Sequence, residues 1–441
     1  MSDTGKKYLY YLVGIGFLVR LLIFLGFYTH ITIFPDSSGY ITLAERIMDF
    51  NLSGYSGKRS PGYPLLITLG FGNLYAVVFY QFLLGILTSI LWYKSLLKLK
   101  FSEKFSFGIS VFMSTLLNVI FFETAILVES LVLFLISLII YRFIKFYDKP
   151  TNYKTEMVTG FLLGLLTLVK PFYAFLPFLF YALFILRDFK IKKIINKKLI
   201  LLLFPLIAYF GWSYVNKLNT GYFVSTTFLG LNMAQNCVRF AEKGPDRYNW
   251  ISEPYVKYRE KSKQEGKNLA MTIWYAYEDG AYDKYNLNFN DFSNELGKFA
   301  KLTIKENPKD YLYQVVFYSW LDFWKPQIYW NYHEFNFKYG NKLFLAIWYF
   351  QECLLWFFRV IFLFLIPFYS IQALQSKKIT SEFVMIMVVF SASILQALVT
   401  YGTNARFSFP FEFLMIFTVL CFLKKYWLTS YKKYVIIFNR K

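Results

Sequence analysis

Apolar residues fall into long runs along this chain, and short polar segments separate the runs. A helix that crosses a hydrocarbon core of roughly 30 Å needs about 20 apolar residues. Runs close to that length occupy residues 8–28, 73–97, 105–121, 124–146, 156–170, 171–187, 199–216, 343–369, 383–400 and 408–423. The pattern predicts an all-α, polytopic transmembrane protein with about ten spans.

Clusters of lysine and arginine between these runs predict how the spans are oriented. When the N-terminus is placed inside, the cytoplasmic flanks receive the basic segments 94–104, 142–154, 187–198, 377–378 and 424–441. Loops rich in Lys and Arg stay in the cytoplasm and contact anionic membrane lipids. We therefore expect an integral membrane protein with both termini in the cytoplasm, in the inner (plasma) membrane of a bacterium.

The same pattern divides the chain into three parts. Residues 1–216 form an N-terminal transmembrane module with a first external loop at 29–72, and residues 343–441 form a C-terminal transmembrane module with a cytoplasmic tail. Between them, residues 217–342 are too long for an unstructured connector and alternate turn signals with helical runs. We expect this loop to be an external helical subdomain.

Composition and charge argue against several classes of function. The 441 residues are 56% hydrophobic and carry 48 Lys+Arg against 27 Asp+Glu. The loop 217–342 holds 17 basic and 14 acidic residues, so the excess of +18 lies in the short segments elsewhere and indicates a membrane surface rather than nucleic acid. Three scattered cysteines and two histidines favour neither a zinc site nor a Ser-His-Asp triad.

Carboxylates at the external ends of the spans are the first candidates for chemistry, because charges in a membrane are rare unless they work or pair. Asp36 follows the first span and can act as a general base. The alternative is that it caps the helix expected at 40–49, but Ser37 or Ser38 can cap this helix instead, which favours the catalytic role. Glu123 and Glu129 lie near the start of the fourth span. We expect one of these two to be catalytic and the other to be a cap or an ion-pair partner.

Three cations at the same external ends are candidates for binding phosphate. Arg59 begins a proline-rich re-entry into the membrane, Lys170 precedes a proline turn, and Arg406 precedes the last span. Arginine binds phosphate through two parallel hydrogen bonds and lysine binds it as a point charge. The alternative role for each is that its charged head simply extends to the membrane surface. Four further charged residues within the spans are expected to be structural: Arg20, Glu352, Arg359 and Glu412.

In their order along the chain, these motifs resemble the GT-C superfamily of polytopic glycosyltransferases. The similarity is to the branch of protein O-mannosyltransferases and the lipid A aminoarabinose transferase. It is carried by Pro35-Asp36, by RSPGYP from Arg59, by Glu123 or Glu129, by LVKP around Lys170, and by RFSFP from Arg406.

The resemblance implies a glycosyltransferase that moves a sugar from a polyprenyl-phosphate donor to an acceptor on the external face, with inversion. It also implies that Asp36 is the first-loop carboxylate and that residues 217–342 are the acceptor platform, with a lipid, glycan or protein as acceptor. Many relatives carry two adjacent acidic residues in the first loop, whereas Ser37 follows Asp36 here. The participation of a divalent metal therefore stays open, and no other cofactor is indicated.

Two other classes remain as alternatives. A transporter or flippase for lipid-linked glycans would show paired broken helices in inverted repeats, and this sequence shows one broken pair, at residues 156–187. A polysaccharide polymerase would draw on arginines in the large external loop, which contains Arg239, Arg247 and Arg259.

Overall fold

A computed structural model describes residues 2–149, 151–189 and 194–427. Within these ranges the secondary structure is helical, apart from one isolated bridge between Thr32 and Ala125, so the all-α prediction is confirmed. The basic residues predicted to be cytoplasmic at 190–193 and 428–441 lie outside the described residues.

Twenty α-helices follow one another along the described chain. The N-terminal part contains α1 (Asp3–Leu21), α2 (Pro35–Met48), α3 (Gly62–Leu69), α4 (Leu74–Lys98), α5 (Glu103–Ser114), α6 (Leu117–Glu123), α7 (Glu129–Phe146), α8 (Tyr153–Val169), α9 (Phe175–Ile185) and α10 (Ile200–Thr220). The middle part contains α11 (Leu229–Gln235), α12 (Asn249–Gln264), α13 (Thr272–Glu278), α14 (Phe289–Glu306), α15 (Pro308–Gln314) and α16 (Leu321–Phe323). The C-terminal part contains α17 (Gly340–Ser376), α18 (Ser381–Val399), α19 (Asn404–Ser408) and α20 (Glu412–Phe422).

The predicted count of ten spans is not confirmed. Six helices of the described chain are long and apolar enough to cross a membrane: Asp3–Phe27, Leu74–Lys98, Lys197–Thr220, Gly340–Ser376, Ser381–Val399 and Asn404–Tyr426. A seventh span results if α5 and α6, which meet at an angle of 55°, count as one broken crossing. The chain is therefore an integral membrane protein with at least these apolar helices.

Some predicted spans do not form helices that are long and apolar enough to cross a membrane, and local features of the chain explain why. The run 124–146 becomes helical only at Glu129, which leaves 18 residues that include Arg142 and Lys145. The run 156–187 divides into α8 and the stretch Pro171–Ile185. Proline disfavours helical backbone in the residue before it, and Lys170 accordingly has an extended conformation, with φ −151° and ψ 105°. The chain turns at Pro171, as the sequence predicted.

Close backbone contact fixes α8 against α10. A Cβ atom on Gly160 would lie 2.7 Å from the carbonyl oxygen of Ile200, and one on Gly164 would lie 2.9 Å from Cβ of Phe204. Small residues four apart allow membrane helices to approach closely. This contact sets the direction of α8 and hence the place of Lys170 at its end.

The middle part of the chain forms a helical unit with an apolar core of its own. Buried residues of this core include Leu231, Ile251, Tyr255, Phe292 and Phe299. The longest helices of this unit are α12 and α14, and a π-helical stretch, Val315–Trp320, connects α15 to α16. Residues 217–342 therefore contain the expected helices.

Hydrogen bonds tie this subdomain to the C-terminal end of α18 and to the start of α19. Asn236 donates from Nδ2 to the carbonyl oxygen of Ala397 at 3.0 Å, and Thr400 donates from Oγ1 to Oε1 of Gln235 at 2.7 Å. Asn404, the first residue of α19, donates from Nδ2 to the carbonyl oxygen of Ser319 at 2.7 Å. The subdomain is thus tied to the segment that leads to Arg406.

Candidate active site

Asp36 lies in the first turn of α2, and it does not cap that helix. The helix begins at Pro35, and Ser37 supplies the cap because its hydroxyl accepts a hydrogen bond from the backbone N–H of Phe34 at 2.9 Å. The Asp36 carboxylate instead binds two guanidinium groups. Its Oδ1 is 2.6 Å from Nη2 of Arg59, and its Oδ2 is 2.6 Å from Nη1 of Arg406.

Arg59 is held in place from three sides. The hydroxyl of Tyr55 accepts from the Arg59 backbone N–H and donates to the Arg59 carbonyl oxygen, each at 2.5 Å. The guanidinium carbon lies 4.8 Å from the ring centres of both Tyr40 and Phe228. A Cβ atom on Gly39 would approach Nε of Arg59 to 3.0 Å, so glycine leaves the room that the side chain fills. The arginine is therefore positioned before any ligand arrives.

Glu129 and Arg406 form the buried half of the cluster. Nε of Arg406 is 2.6 Å from Oε1 of Glu129, and Nη2 is 3.0 Å from Oε2, which is a bidentate pair. Nζ of Lys170 lies 3.5 Å from Oε1 of the same carboxylate and 3.4 Å from the centre of the Phe407 ring. Arg406 therefore joins both carboxylates, and the network runs in the order Arg59, Asp36, Arg406, Glu129, Lys170. We call these five residues the charge cluster.

A glycine brings the proline-rich re-entry against the end of α8. A Cβ atom on Gly62 would lie 2.5 Å from the backbone nitrogen of Val169 and 2.7 Å from the carbonyl carbon of Leu168. No larger residue fits between these backbones unless one of them moves. Gly62 thus fixes the distance between the segment that carries Arg59 and the turn that carries Lys170.

Glu123, the remaining predicted catalytic candidate, is placed outside the charge cluster. Its carboxylate pairs with Arg20 in two hydrogen bonds of 2.6 and 2.7 Å, and both side chains are 1% exposed. Gly85 leaves room for this pair, since a Cβ atom there would be 1.8 Å from Oε1 of Glu123. The structure therefore assigns Glu123 the ion-pair role that the sequence offered for one of the two glutamates, with Arg20 as partner.

A second buried ion pair joins two helices of the C-terminal part. Arg359 from α17 pairs with Glu412 from α20. Asn118 also donates to Glu412, from Nδ2 to Oε2 at 2.9 Å. These groups hold helices together and do not reach the charge cluster.

The electrostatics of Asp36 follow from its two partners. Burial raises the pKa of this carboxyl group, but the charges of Arg406 and Arg59 lower the pKa by more, so the pKa lies well below its usual range. The Asp36 side chain is 38% exposed, whereas that of Glu129 is 1% exposed. Asp36 is therefore the carboxylate that a substrate can reach.

Residues 50–219 match the family model of dolichyl-phosphate-mannose-protein mannosyltransferase. The match covers less than half of the chain, and it includes three members of the charge cluster: Arg59, Glu129 and Lys170. Over residues 50–219 the chain is similar to this family of GT-C glycosyltransferases. The resemblance predicted from the sequence is thereby confirmed, and the predicted enzyme class, a glycosyltransferase, is the class of this family.

One solved structure similar to this GT-C-related chain is the archaeal oligosaccharyltransferase AglB from Archaeoglobus fulgidus, in complex with an inhibitory peptide and a dolichol-phosphate. The identity is 13% and the TM-score is 0.43. The similarity covers 98% of this chain and 52% of that chain, so the GT-C-related chain spans about half the length of AglB. No curated protein sequence matches the chain.

The prediction of a divalent metal stays a prediction. In the part of the GT-C-related chain that the structure describes, no three His, Cys, Asp or Glu side chains are grouped so that they could hold a metal ion. Asp36 and Glu129 both bind Arg406, and this guanidinium lies where a cation shared by the two carboxylates would lie.

Sequence reasoning missed the aromatic residues that surround the cations of the charge cluster. Tyr40 lies four residues after Asp36, one helical turn further along the same face, so its spacing gave a signal that could have been used. Phe407 directly follows Arg406 but carries no comparable signal among so many aromatic residues. Phe228 comes from the external subdomain, and only the fold brings its ring to Arg59.

Proposed function

We propose that the chain is a membrane glycosyltransferase that transfers a sugar from a polyprenyl-phosphate donor to an acceptor hydroxyl, with inversion at the anomeric carbon. The observation that carries the proposal is the charge cluster, in which two carboxylates and three cations from four separated segments meet at one end of the helices. The acceptor is a lipid, a glycan or a protein.

The charge of the cluster supports a donor with a single phosphate. Three cations and two carboxylates leave one net positive charge, and a sugar linked to a lipid through a phosphodiester carries one negative charge. Binding therefore brings the site to neutrality, which matters because uncompensated charge is costly where water is scarce. A diphosphate-linked donor would leave the site with a negative charge instead.

The balance of charges in the cluster also supports Asp36 as the general base. The acceptor oxygen forms a bond to the anomeric carbon, the bond from that carbon to the phosphate oxygen breaks, and the hydroxyl proton passes to Asp36. Asp36 loses its charge while the departing lipid phosphate gains one, so the site stays neutral. Attack on the face opposite the phosphate gives inversion, and no second acid is needed because phosphate leaves as an anion.

The other members of the cluster have distinct roles in this proposal. Arg59 and Arg406 bind the phosphate oxygens, which develop charge in the transition state. Glu129 is a positioning residue, because it is buried and holds Arg406 through both of its oxygens. Lys170, 17% exposed, supplies the third positive charge.

The proposed reaction takes place on the external face of a bacterial inner membrane. Support comes from the sequence, because the basic segments flank the opposite ends of the spans. The subdomain at residues 217–342 lies at the same ends of the helices as the charge cluster. It is the proposed acceptor platform.

Reconstitution in liposomes with a labelled polyprenyl-phosphate sugar tests the proposal, with release of polyprenyl phosphate as the measurement. Asp36→Asn is expected to slow release by about 100-fold or more, as for loss of a general base, and Lys170→Ala is expected to slow it as well. Asp3→Asn is the matched control, because Asp3 is an exposed carboxylate paired with Lys6. Unchanged turnover in both variants contradicts the mechanism, and glycan crossing the membrane without release supports a flippase.

A further inference from the structure

The helices that carry Glu129 and Lys170 form a second polar site at their other ends. Helix α7 starts at Glu129 and ends at Phe146, and α8 returns from Tyr153 to the turn at Lys170. A cavity of about 120 Å³ lies where α7 ends and α8 begins. It therefore faces the membrane surface opposite the charge cluster. We call it the basic pocket.

The lining of the basic pocket combines cations at its mouth with an aromatic wall. Four cations line it, Arg142, Lys149, Arg187 and Lys198, together with one carboxylate, Glu156. The aromatic wall includes Phe143, Phe146 and Phe180. An anionic head group with apolar chains matches both halves of this lining.

Two of the cations are already neutralised within the protein. Nζ of Lys198 lies 2.7 Å from Oε1 of the buried Glu156, and Nη2 of Arg187 lies 2.5 Å from Oδ1 of Asp148. They build the pocket and are not free to bind an anion without leaving a carboxylate unpaired.

Arg142 is different, because among the described residues its guanidinium donates only to neutral oxygens. Nε donates to Oγ1 of Thr159 at 3.1 Å, and Nη2 donates to the carbonyl oxygen of Thr155 at 3.0 Å. These bonds fix the guanidinium in the pocket without an ion pair of its own, because the nearby carboxylate of Glu156 is paired with Lys198. Lys149, exposed at the mouth, adds a second positive charge.

We propose that the basic pocket binds an anionic phospholipid, with the phosphate on Arg142 and Lys149 and the acyl chains along the aromatic wall. The cavity accommodates a phosphodiester and not a whole lipid, so the chains extend outward between the helices. Basic pockets between membrane helices bind anionic head groups in this way. The site is separate from the proposed donor site, which lies at the opposite ends of α7 and α8.

Lipid titration of the purified, detergent-solubilised protein tests this inference, with native mass spectrometry as the readout. Phosphatidylglycerol is expected to bind more tightly than zwitterionic phosphatidylcholine of the same chain length. Arg142→Gln is expected to weaken phosphatidylglycerol binding by about fivefold or more, and Lys149→Gln to weaken it less. Lys104→Gln, an exposed cation at the start of α5 outside the pocket, should leave the binding unchanged.

Three outcomes overturn the assignment: equal binding of the two phospholipids, unchanged binding by both pocket variants, or preferential binding of a polyprenyl phosphate that both variants weaken. A thermal melt of each variant without lipid identifies folding defects. Lys149→Gln remains informative if Arg142→Gln fails to fold, because Lys149 is exposed and its replacement removes only charge from the mouth.

Discussion

At the scale of single residues, Arg406 connects the two halves of the charge cluster. One guanidinium binds both oxygens of Glu129 and also reaches Asp36. Lysine keeps the charge but has a single ammonium group, so it cannot reproduce this planar fork. We expect Arg406→Lys to lower kcat/KM for donor cleavage by about 100-fold, which corresponds to about 2.7 kcal/mol of transition-state stabilisation.

Steady-state kinetics on the reconstituted protein measures this effect. Arg247→Lys in the external subdomain is the matched control, because Arg247 is exposed. Wild-type kinetics in Arg406→Lys would show that charge alone is enough at this position, and that the fork has no role.

The pKa of Asp36 leads to a prediction about pH. In the free protein the neighbouring arginines hold this pKa well below its usual range, so Asp36 remains a charged but weak base. A donor phosphate that binds Arg59 and Arg406 draws them away from the carboxylate, and the pKa of Asp36 then rises. The acid limb of kcat, which reports the donor complex, is therefore expected at higher pH than the acid limb of kcat/KM, which reports the free enzyme.

Initial rates between about pH 3 and 8 separate the two profiles, with Asp36→Asn included to show that Asp36 causes the limb of kcat. Coinciding acid limbs would show that donor binding does not release the carboxylate.

Substitutions of Glu123 and Glu129 separate an effect on stability from an effect on donor binding. Glu123→Gln leaves Arg20 without a charged partner in a site that is 1% exposed, and breaking a buried pair costs about 3–5 kcal/mol. We expect a lower Tm with an unchanged KM for the donor in the protein that stays folded. Glu129→Gln is expected to raise that KM. Equal effects of the two variants on KM would contradict the separation of their roles.

At the scale of secondary-structure elements, the site depends on how closely α3 approaches the end of α8. Gly62→Ala places a methyl group within 2.5 Å of the Val169 backbone nitrogen, so one of the two segments has to move. Lys170, the next residue, then shifts away from Glu129. We expect donor cleavage to fall by about 10-fold or more, because small displacements of positioned groups are costly in catalysis.

Gly14→Ala provides the control for this change, since a Cβ atom on Gly14 in α1 meets nothing within 4 Å. The cleavage assay and a thermal melt together give the result. If Gly62→Ala matches Gly14→Ala in both measurements, the close approach is not needed for activity.

Elements were easier to predict from this sequence than contacts. Apolar runs and basic flanks located the helices, and Pro171 located the break after α8, because these signals are local. The predicted count of spans is not confirmed where charges such as Arg142 lie inside a short helix. Five of the six candidate residues do meet, but the sequence could not show that Arg406 bridges Asp36 and Glu129. That contact joins positions hundreds of residues apart and depends on packing at glycines such as Gly62.

At the scale of the whole molecule, the subdomain at residues 217–342 and the apolar helices are joined close to the charge cluster. Gln235 and Asn236 bind the end of α18 and the residue that follows it, and a few residues further along the chain lies Arg406. Phe228 from the same subdomain covers Arg59. Under the proposed function, a subdomain held in this way would keep water from the donor while it presents an acceptor, and exclusion of water would prevent hydrolysis.

Weakening the contact between the subdomain and α18 is therefore expected to change two quantities. One is the total rate of donor cleavage, and the other is the ratio of sugar lost to water to sugar transferred to the acceptor. Thr400→Val removes the hydroxyl that donates to Gln235 and leaves the amide oxygen buried without that partner. The ratio of released free sugar to transferred sugar should rise by about threefold or more, since one buried hydrogen bond contributes about 1 kcal/mol. Thr418→Val is the control, because the Thr418 hydroxyl donates within α20, to the carbonyl oxygen of Leu414. Total turnover could instead fall while the ratio of free to transferred sugar stays constant. Water and acceptor would then compete for the donor as before. This result would mean that the subdomain shapes the acceptor site without shielding the donor.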